Sequence, residues 1–313
     1  MRVLVAGGAG FVGSHLVDLL IANGDEVVVL DNLITGSVAN LEHVLDRITL
    51  VNGDVEEAEH GAYDRVYHLA SPASPDAYER HQVATLMANS FGTKRLLDVA
   101  ESSGARFLLA STSEVYGDPL EHPQRETYWG NVDPIGPRSM YDEGKRFAEA
   151  LAVAYVRERG NDVRIVRIFN AYGPRMQLND GRMPTSFVAA AILGEPLRVH
   201  GDGSQTRSLC FVRDTARGLF AAMERGKAGE VYNIGRPDEI SVVDFARIVL
   251  AAAESSAPIS FVPGRSQDIH RRRPDGTKAE RELGWKPETA LADGLRETIG
   301  WYRAAIGRVA VGS

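Results

Sequence analysis

Cysteine is nearly missing from this sequence: Cys210 is the only one among 313 residues. That excludes an intrachain disulfide and fits a reducing compartment, with the lone thiol expected in or near the core. Long apolar runs are missing too, and no stretch approaches the roughly 20 residues of a membrane span. Runs of positive charge are also absent. With 35 basic against 42 acidic residues and a formal charge of -7, neither a nucleic-acid track nor an anionic-membrane surface is expected. The one basic cluster, Arg271-Arg272-Arg273, suits a pocket better than a nucleic-acid track, with a solvated patch as the alternative. The eight histidines fall at no metal-ligand spacing, and no metal is expected. His68, at a strand end, reads as a structural or cofactor-loop residue. Met1 to Gly7 runs straight into a strand and a glycine turn, so no signal peptide is expected and the protein is placed in the cytoplasm.

What is present is an ordinary globular composition, 44% hydrophobic and 25% charged, long enough for one large α/β unit or two lobes. β-Branched runs at Val3–Ala6, Val27–Leu30, Ile48–Asn52, Arg65–Leu69, Arg106–Ala110 and Arg164–Ile168 alternate with helical patterns. The helices are expected over Phe11–Ala22, Thr85–Ser102 and Tyr141–Arg157. Leu86, Leu96, Leu97 and Val99 mark the second, and Phe147, Leu151 and Ala154 share a face of the third. This alternation predicts a doubly wound parallel sheet covered by helices, with ligands at the carboxyl ends of the strands.

After Asn170 the pattern loosens into short segments punctuated by Gly173-Pro174, Asn179-Asp180-Gly181, Gly194-Glu195-Pro196 and Gly201-Asp202-Gly203. Ser241 is expected to cap a helix running towards Ala253. The expected division is a first lobe over residues 1–168, with a return of about 210–236, and a smaller C-terminal lobe over 169–209 and 237–313. The tail after Ile306 is expected to fray.

Gly7, Gly10 and Gly13 follow the first strand and open the first helix, so the backbone can turn tightly and approach a pyrophosphate at the helix N-terminus. Asp31 ends the second strand, where a carboxylate can accept hydrogen bonds from an adenosine ribose and repel the extra phosphate of NADP. Together these predict a Rossmann-type site for NAD. Asp54-Val55 is expected beside an adenine, with a plain loop as the alternative.

Tyr141 and Lys145, four apart on a helix, project from one face. A nearby ammonium favours a phenolate, so the pair predicts a lowered tyrosine pKa and a base for a hydroxyl proton. Ser111-Thr112-Ser113-Glu114-Val115-Tyr116-Gly117 follows the fifth expected strand on the same rim. Thr112 there can hydrogen-bond a hydroxyl undergoing oxidation, and Glu114 can handle a proton or position water. A helix-capping run is the alternative.

In order, these motifs resemble the extended short-chain dehydrogenase/reductase family over nearly the whole chain. Longer strings look like its UDP-glucuronate decarboxylase (UDP-xylose synthase) branch. They include Leu69-Ala70-Ser71-Pro72-Ala73-Ser74-Pro75, Tyr128-Trp129-Gly130-Asn131, Tyr141-Asp142-Glu143-Gly144-Lys145-Arg146, Arg167-Ile168-Phe169-Asn170, Gly173-Pro174-Arg175-Met176 and Asn179-Asp180-Gly181-Arg182. The resemblance implies a catalytic cluster of Thr112, Glu114, Tyr141 and Lys145, with Arg272 near a sugar carboxylate. It implies cofactor contacts by Phe11, Val12, Asn32, Leu69 and Ala70 as well as the residues above. For the UDP-sugar it implies Tyr78, Ser113, Asn170, Arg182, Gln205 and Arg207, the arginines being suited to bidentate phosphate contacts.

The implied reaction oxidises C4 of UDP-glucuronate, loses carbon dioxide from the resulting β-keto acid, and reduces the ketone to UDP-xylose with NAD restored. Relatives that stop at the keto sugar share the first half. A 4-epimerase shares the oxidation, and so does a 4,6-dehydratase, which typically carries Asp-Glu where this chain has Ser113-Glu114. A non-catalytic NAD-binding regulator could dispense with Tyr141 and Lys145. Two segments depart from the decarboxylase pattern: His81 to Leu86, with Ala84 in place of a basic residue, and Met183-Pro184-Thr185-Ser186. Apolar faces on the helices after Thr85 and Tyr141 are expected to form a homodimer, with an intramolecular core as the alternative.

Overall fold

The computed structural model describes residues 1–178, 180–264 and 271–311, with side chains through Gly307. Asn179, part of an expected turn and motif, and the last residues of the tail lie outside these. Seven strands form one parallel sheet: β1 (Arg2–Ala6), β2 (Glu26–Asp31), β3 (Ile48–Asn52), β4 (Arg65–His68), β5 (Arg106–Thr112), β6 (Val163–Ile168) and β7 (Val231–Ile234). Their order is β7-β6-β5-β4-β1-β2-β3. Several run boundaries shift: β1, β2 and β6 each begin one residue earlier than expected, β2 runs on to Asp31, β5 continues to Thr112, two residues beyond the expected Ala110, and β4 stops at His68.

Alternate residues of each strand serve opposite faces. Val3, Val5, Val27, Val29, Leu108 and Val166 pack with helices α1 (Phe11–Ala22) and α5 (Val212–Arg225). Leu4, Val28, Leu30, Val66, Phe107 and Leu109 pack with helices α2 (Thr93–Ser103) and α3 (Ser139–Arg159). Both faces are covered, which is why the central strands are apolar throughout rather than alternating. The chain winds outward from β1 to β3, then crosses to β4 on the other side of β1. The loops leaving β1 and β4 diverge there and open a crevice at the carboxyl ends.

The expected helix over 85–102 is not continuous. A helix over Gln82–Met87 meets a π-turn at Ala88–Gly92 before α2 begins, and Leu86 is exposed rather than buried with Leu96, Leu97 and Val99. On α3 the core stripe is Ala148, Ala152 and Tyr155, so Phe147, half exposed, stands outside the core.

A second core gathers α4 (Met183–Leu193), α6 (Val242–Ala252) and α7 (Leu291–Val311) around Phe187, Phe245, Leu295 and Tyr302. Ser241 caps α6, its hydroxyl accepting from the Asp244 amide at 3.1 Å. Three short strands, Glu239–Ser241, Thr206–Ser208 and Arg271–Arg272, form a small sheet in which Arg272 pairs with Arg207. Of the three consecutive arginines, only Arg272 is buried.

Candidate active site

One cavity of about 1270 Å³ runs from the glycine turn across the carboxyl ends of the strands to the second core. Every residue assigned above to catalysis, cofactor or substrate lines it, from Gly7 to Arg272.

At its first end the glycines are forced by contact. A Cβ on Gly13 would stand 2.1 Å from the Gly7 carbonyl oxygen, and one on Gly7, whose φ is +81°, would stand 2.6 Å from the backbone of Leu69 and Ala70. Only bare backbone lets the β1 turn, the start of α1 and the loop after β4 converge. Gly10 begins α1 in extended conformation, leaving the first-turn amides facing the cavity. Asp31 accepts from the Ala9 and Leu33 amides at 2.9 Å each, so its carboxylate is fixed at the rim of β2, where burial raises its pKa against these bonds. Beside it the Asn32 amide donates to Asp54 at 2.6 Å, and Val55 is buried. A tight, side-chain-free turn at a helix N-terminus with an acid twenty residues on fits a dinucleotide whose pyrophosphate lies on the glycines.

In the middle lie Thr112, at the last position of β5, and Tyr141 and Lys145, in the first two turns of α3. Tyr141 hydrogen-bonds Thr112 and stacks on Tyr78 with ring centres 5.1 Å apart. Lys145 Nζ donates to the Ala110 carbonyl at 2.8 Å, and burial pushes its pKa down to about 7. The structure corrects the expected electrostatics. Burial raises the Tyr141 pKa, and the influences that oppose it are the Thr112 hydrogen bond and the charge of Arg182, not Lys145. Four-residue spacing put Tyr141 and Lys145 on one face, but the ammonium is turned to the end of β5.

Beyond Tyr141, Glu114 stands on the 3₁₀ turn Ser113–Tyr116, whose start is held by Thr112 Oγ1 accepting from the Glu114 amide at 3.2 Å. Arg272 donates to Glu114 Oε1 at 2.5 Å and Arg138 to Oε2 at 3.1 Å. Burial opposes ionisation of Glu114, but the two guanidiniums outweigh it and hold its pKa below the ordinary carboxylate range. Glu114 is therefore an ionised, doubly paired group rather than a store for a proton. Sequence reasoning missed Arg138 and Asp142. Arg138 sits one helical turn before Tyr141, a spacing that could have exposed it. Asp142 is the second residue of the Tyr-Asp-Glu-Gly-Lys-Arg string.

At the far end Arg182 is paired with Asp180, with Nη2 donating to Oδ2 at 2.7 Å. Gln205 donates to the His200 carbonyl at 2.8 Å, and Arg207 to the Thr206 carbonyl at 2.8 Å. The departing segments border the same space: Ala84, Met183, Pro184 and Ser186 all line it, while Thr185 is buried. His68 is fully buried, its Nε2 is 3.0 Å from Thr93 Oγ1, and burial lowers its pKa to about 3, which makes it a neutral structural residue beside Lys145.

The site and fold together define a nucleotide-binding α/β enzyme of the short-chain dehydrogenase type. The model of the NAD dependent epimerase/dehydratase family matches residues 3–235, and the chain belongs to that family. It is 51% identical to UDP-glucuronic acid decarboxylase 1 of Arabidopsis thaliana, over 98% of this chain and 71% of the relative. Among solved structures it is similar to UDP-glucose 4-epimerase of Thermotoga maritima with UDP-glucose, at TM-score 0.90, 31% identity, and coverage of 98% of this chain and 100% of that one. A dTDP-glucose 4,6-dehydratase of Streptomyces venezuelae with NAD bound gives TM-score 0.89, 34% identity and 98% coverage of both chains.

Proposed function

We propose that the protein decarboxylates UDP-glucuronate to UDP-xylose through a 4-keto sugar. The observation that carries this reading is the part-buried Glu114–Arg272 pair beside Tyr141, in the same cavity as the glycine cradle. Identity near one half to a UDP-glucuronic acid decarboxylase supports it. Gly7, Gly10, Phe11, Val12 and Gly13 would hold NAD, with Asp31 towards its ribose and Asn32, Asp54 and Val55 towards its adenine, and NAD bound there would supply a hydride acceptor for C4. Leu69 and Ala70 close the other side of that cradle.

Tyr141 takes the C4 hydroxyl proton in its phenolate form, which the positive charge of bound NAD would favour against burial, with Thr112 holding the two oxygens in line and Lys145 fixing the helix against β5. The C4 ketone is β to the carboxylate on C5, so the C5–C6 bond can break with its electron pair delocalised into an enolate. Arg272 holds the carboxylate until it leaves as carbon dioxide. Glu114 orients Arg272 and a water that supplies C5 with the proton that takes the place of the lost carboxylate. Tyr141 then gives its proton back to the C4 oxygen as the ketone is reduced. We assign Tyr78, Ser113, Asn170, Arg182, Gln205 and Arg207 to the UDP-sugar, residues 1–168 and about 210–236 to an NAD-binding lobe, and residues 169–209 and 237–313 to a sugar-nucleotide lobe.

Likeness to a 4-epimerase and a 4,6-dehydratase favours those two as second readings, since both share the C4 oxidation. Mixing the purified protein with UDP-glucuronate and NAD separates them. UDP-xylose without accumulation of NADH supports the proposal. UDP-galacturonate identifies an epimerase, and NADH released in step with a keto pentose identifies an enzyme that stops halfway. We also place the chain in a reducing compartment, the cytoplasm, where a buried free thiol such as Cys210 persists, and assign it as a homodimer.

A further inference from the structure

Arg138 belongs to none of the motifs that point to the reaction, yet it holds one half of the Glu114 carboxylate while Arg272 holds the other. Both arginines line the cavity. One carboxylate between two guanidiniums leaves a positive charge over. A second acid stands close by: Asp142 is buried, its Oδ1 has no hydrogen-bond partner, and burial together with the charge of Glu114 raises its pKa to about 8. Asp142 is thus mostly protonated at neutral pH and does not cancel that charge. The cluster of Glu114, Asp142, Arg138 and Arg272 is one positive charge in excess, which matches a single incoming carboxylate.

We propose that Arg138 is a positioning residue that serves as the standing counter-ion of Glu114, so that Arg272 can direct its charge to the carboxylate of the sugar. This rests on the uronate reading above. The backbone of Arg138 ties the same residue to the base: its carbonyl accepts from the amides of Tyr141 and Asp142 at 3.0 Å each, starting α3. One side chain therefore links the turn after β5, which bears Glu114, to the helix that bears Tyr141. Without the Arg138 charge, Arg272 must serve Glu114 and the sugar carboxylate together. The loss falls on the carboxylate-bearing sugar and spares one that lacks it.

UDP-glucuronate and UDP-glucose differ only at C6, carboxylate against hydroxymethyl. Their binding to the NAD-loaded, full-length protein is compared by calorimetry for wild type, R138Q, R138K and the double variant E114Q/R138Q. Wild type is expected to prefer UDP-glucuronate. R138Q is expected to shrink that preference about tenfold while the Kd for UDP-glucose stays within about twofold, and R138K to restore it to within about threefold of wild type. In the double variant no carboxylate is left unpaired, so the preference is expected to return even if R138Q alone does not fold. An unchanged preference in R138Q, equal weakening of both ligands, or no recovery in either R138K or the double variant overturns the proposal while leaving the uronate reading intact. A wild type with no preference overturns both.

Discussion

Tyr141 is surrounded so completely that its chemistry depends on few atoms. It hydrogen-bonds Thr112 and stacks on Tyr78. Tyr141→Phe removes the proton acceptor and keeps the stacking, so kcat is expected to fall by about 10²–10⁴ with the melting temperature lowered only slightly. Steady-state turnover and a thermal melt check this, and a kcat within threefold of wild type contradicts it. His68 allows a second test. Its pKa, lowered to about 3 by burial, means the unfolded chain takes up a proton below pH 6.5 that the fold refuses. The stability of wild type relative to His68→Gln should therefore shrink as pH falls from 6.5 towards 3, by about 1.4 kcal/mol per pH unit. Urea midpoints of the two proteins at pH 7.5 and 5 measure it. A constant difference contradicts it.

Between neighbouring elements, contact sets what the sequence pattern could show. The six expected strands, the glycine turn and Asp31 were legible because a covered parallel sheet demands continuous β-branched runs, and a pyrophosphate demands bare backbone at fixed spacing. The π-turn at Ala88–Gly92 was not legible, because it inserts a residue and rotates what precedes it by about 100°. Leu86 lies eleven residues, three helical turns, before Leu97 and would share its stripe in an unbroken helix. The π-turn carries it to the surface instead. Gly92 shows why the turn is tight: a Cβ there would stand 2.4 Å from Val55 Cγ1. Gly92→Ala is expected to cost about 1–3 kcal/mol, read as a lower urea midpoint, and an unchanged midpoint counts against it. The Arg138–Glu114 pair was hidden for a different reason. It joins residues 24 apart through a side chain with many possible directions, and spacing along one helix says nothing about a partner on another element. The Tyr141–Lys145 spacing does give one shared helix face, but burial, not the ammonium, sets the direction of the tyrosine pKa.

For the whole molecule, Val83, Leu86, Phe91 and Phe147 stand exposed on adjacent helical segments, outside both faces of the core. A homodimer formed through them is expected to sediment at twice the chain mass at micromolar concentration, and Phe147→Asp to shift it towards monomer. Monomer alone in the wild type removes the assignment. The cavity gathers residues from Gly7 to Arg272, so oxidation at C4 and loss of C6 share one enclosure. UDP-glucuronate labelled with ¹³C at the carboxyl carbon follows that coupling in one tube, by NMR with the NADH absorbance recorded alongside. The label is expected to leave the sugar nucleotide as carbon dioxide and bicarbonate, matched mole for mole by UDP-xylose and without NADH accumulating. Label retained in a turned-over sugar nucleotide contradicts decarboxylation at this site.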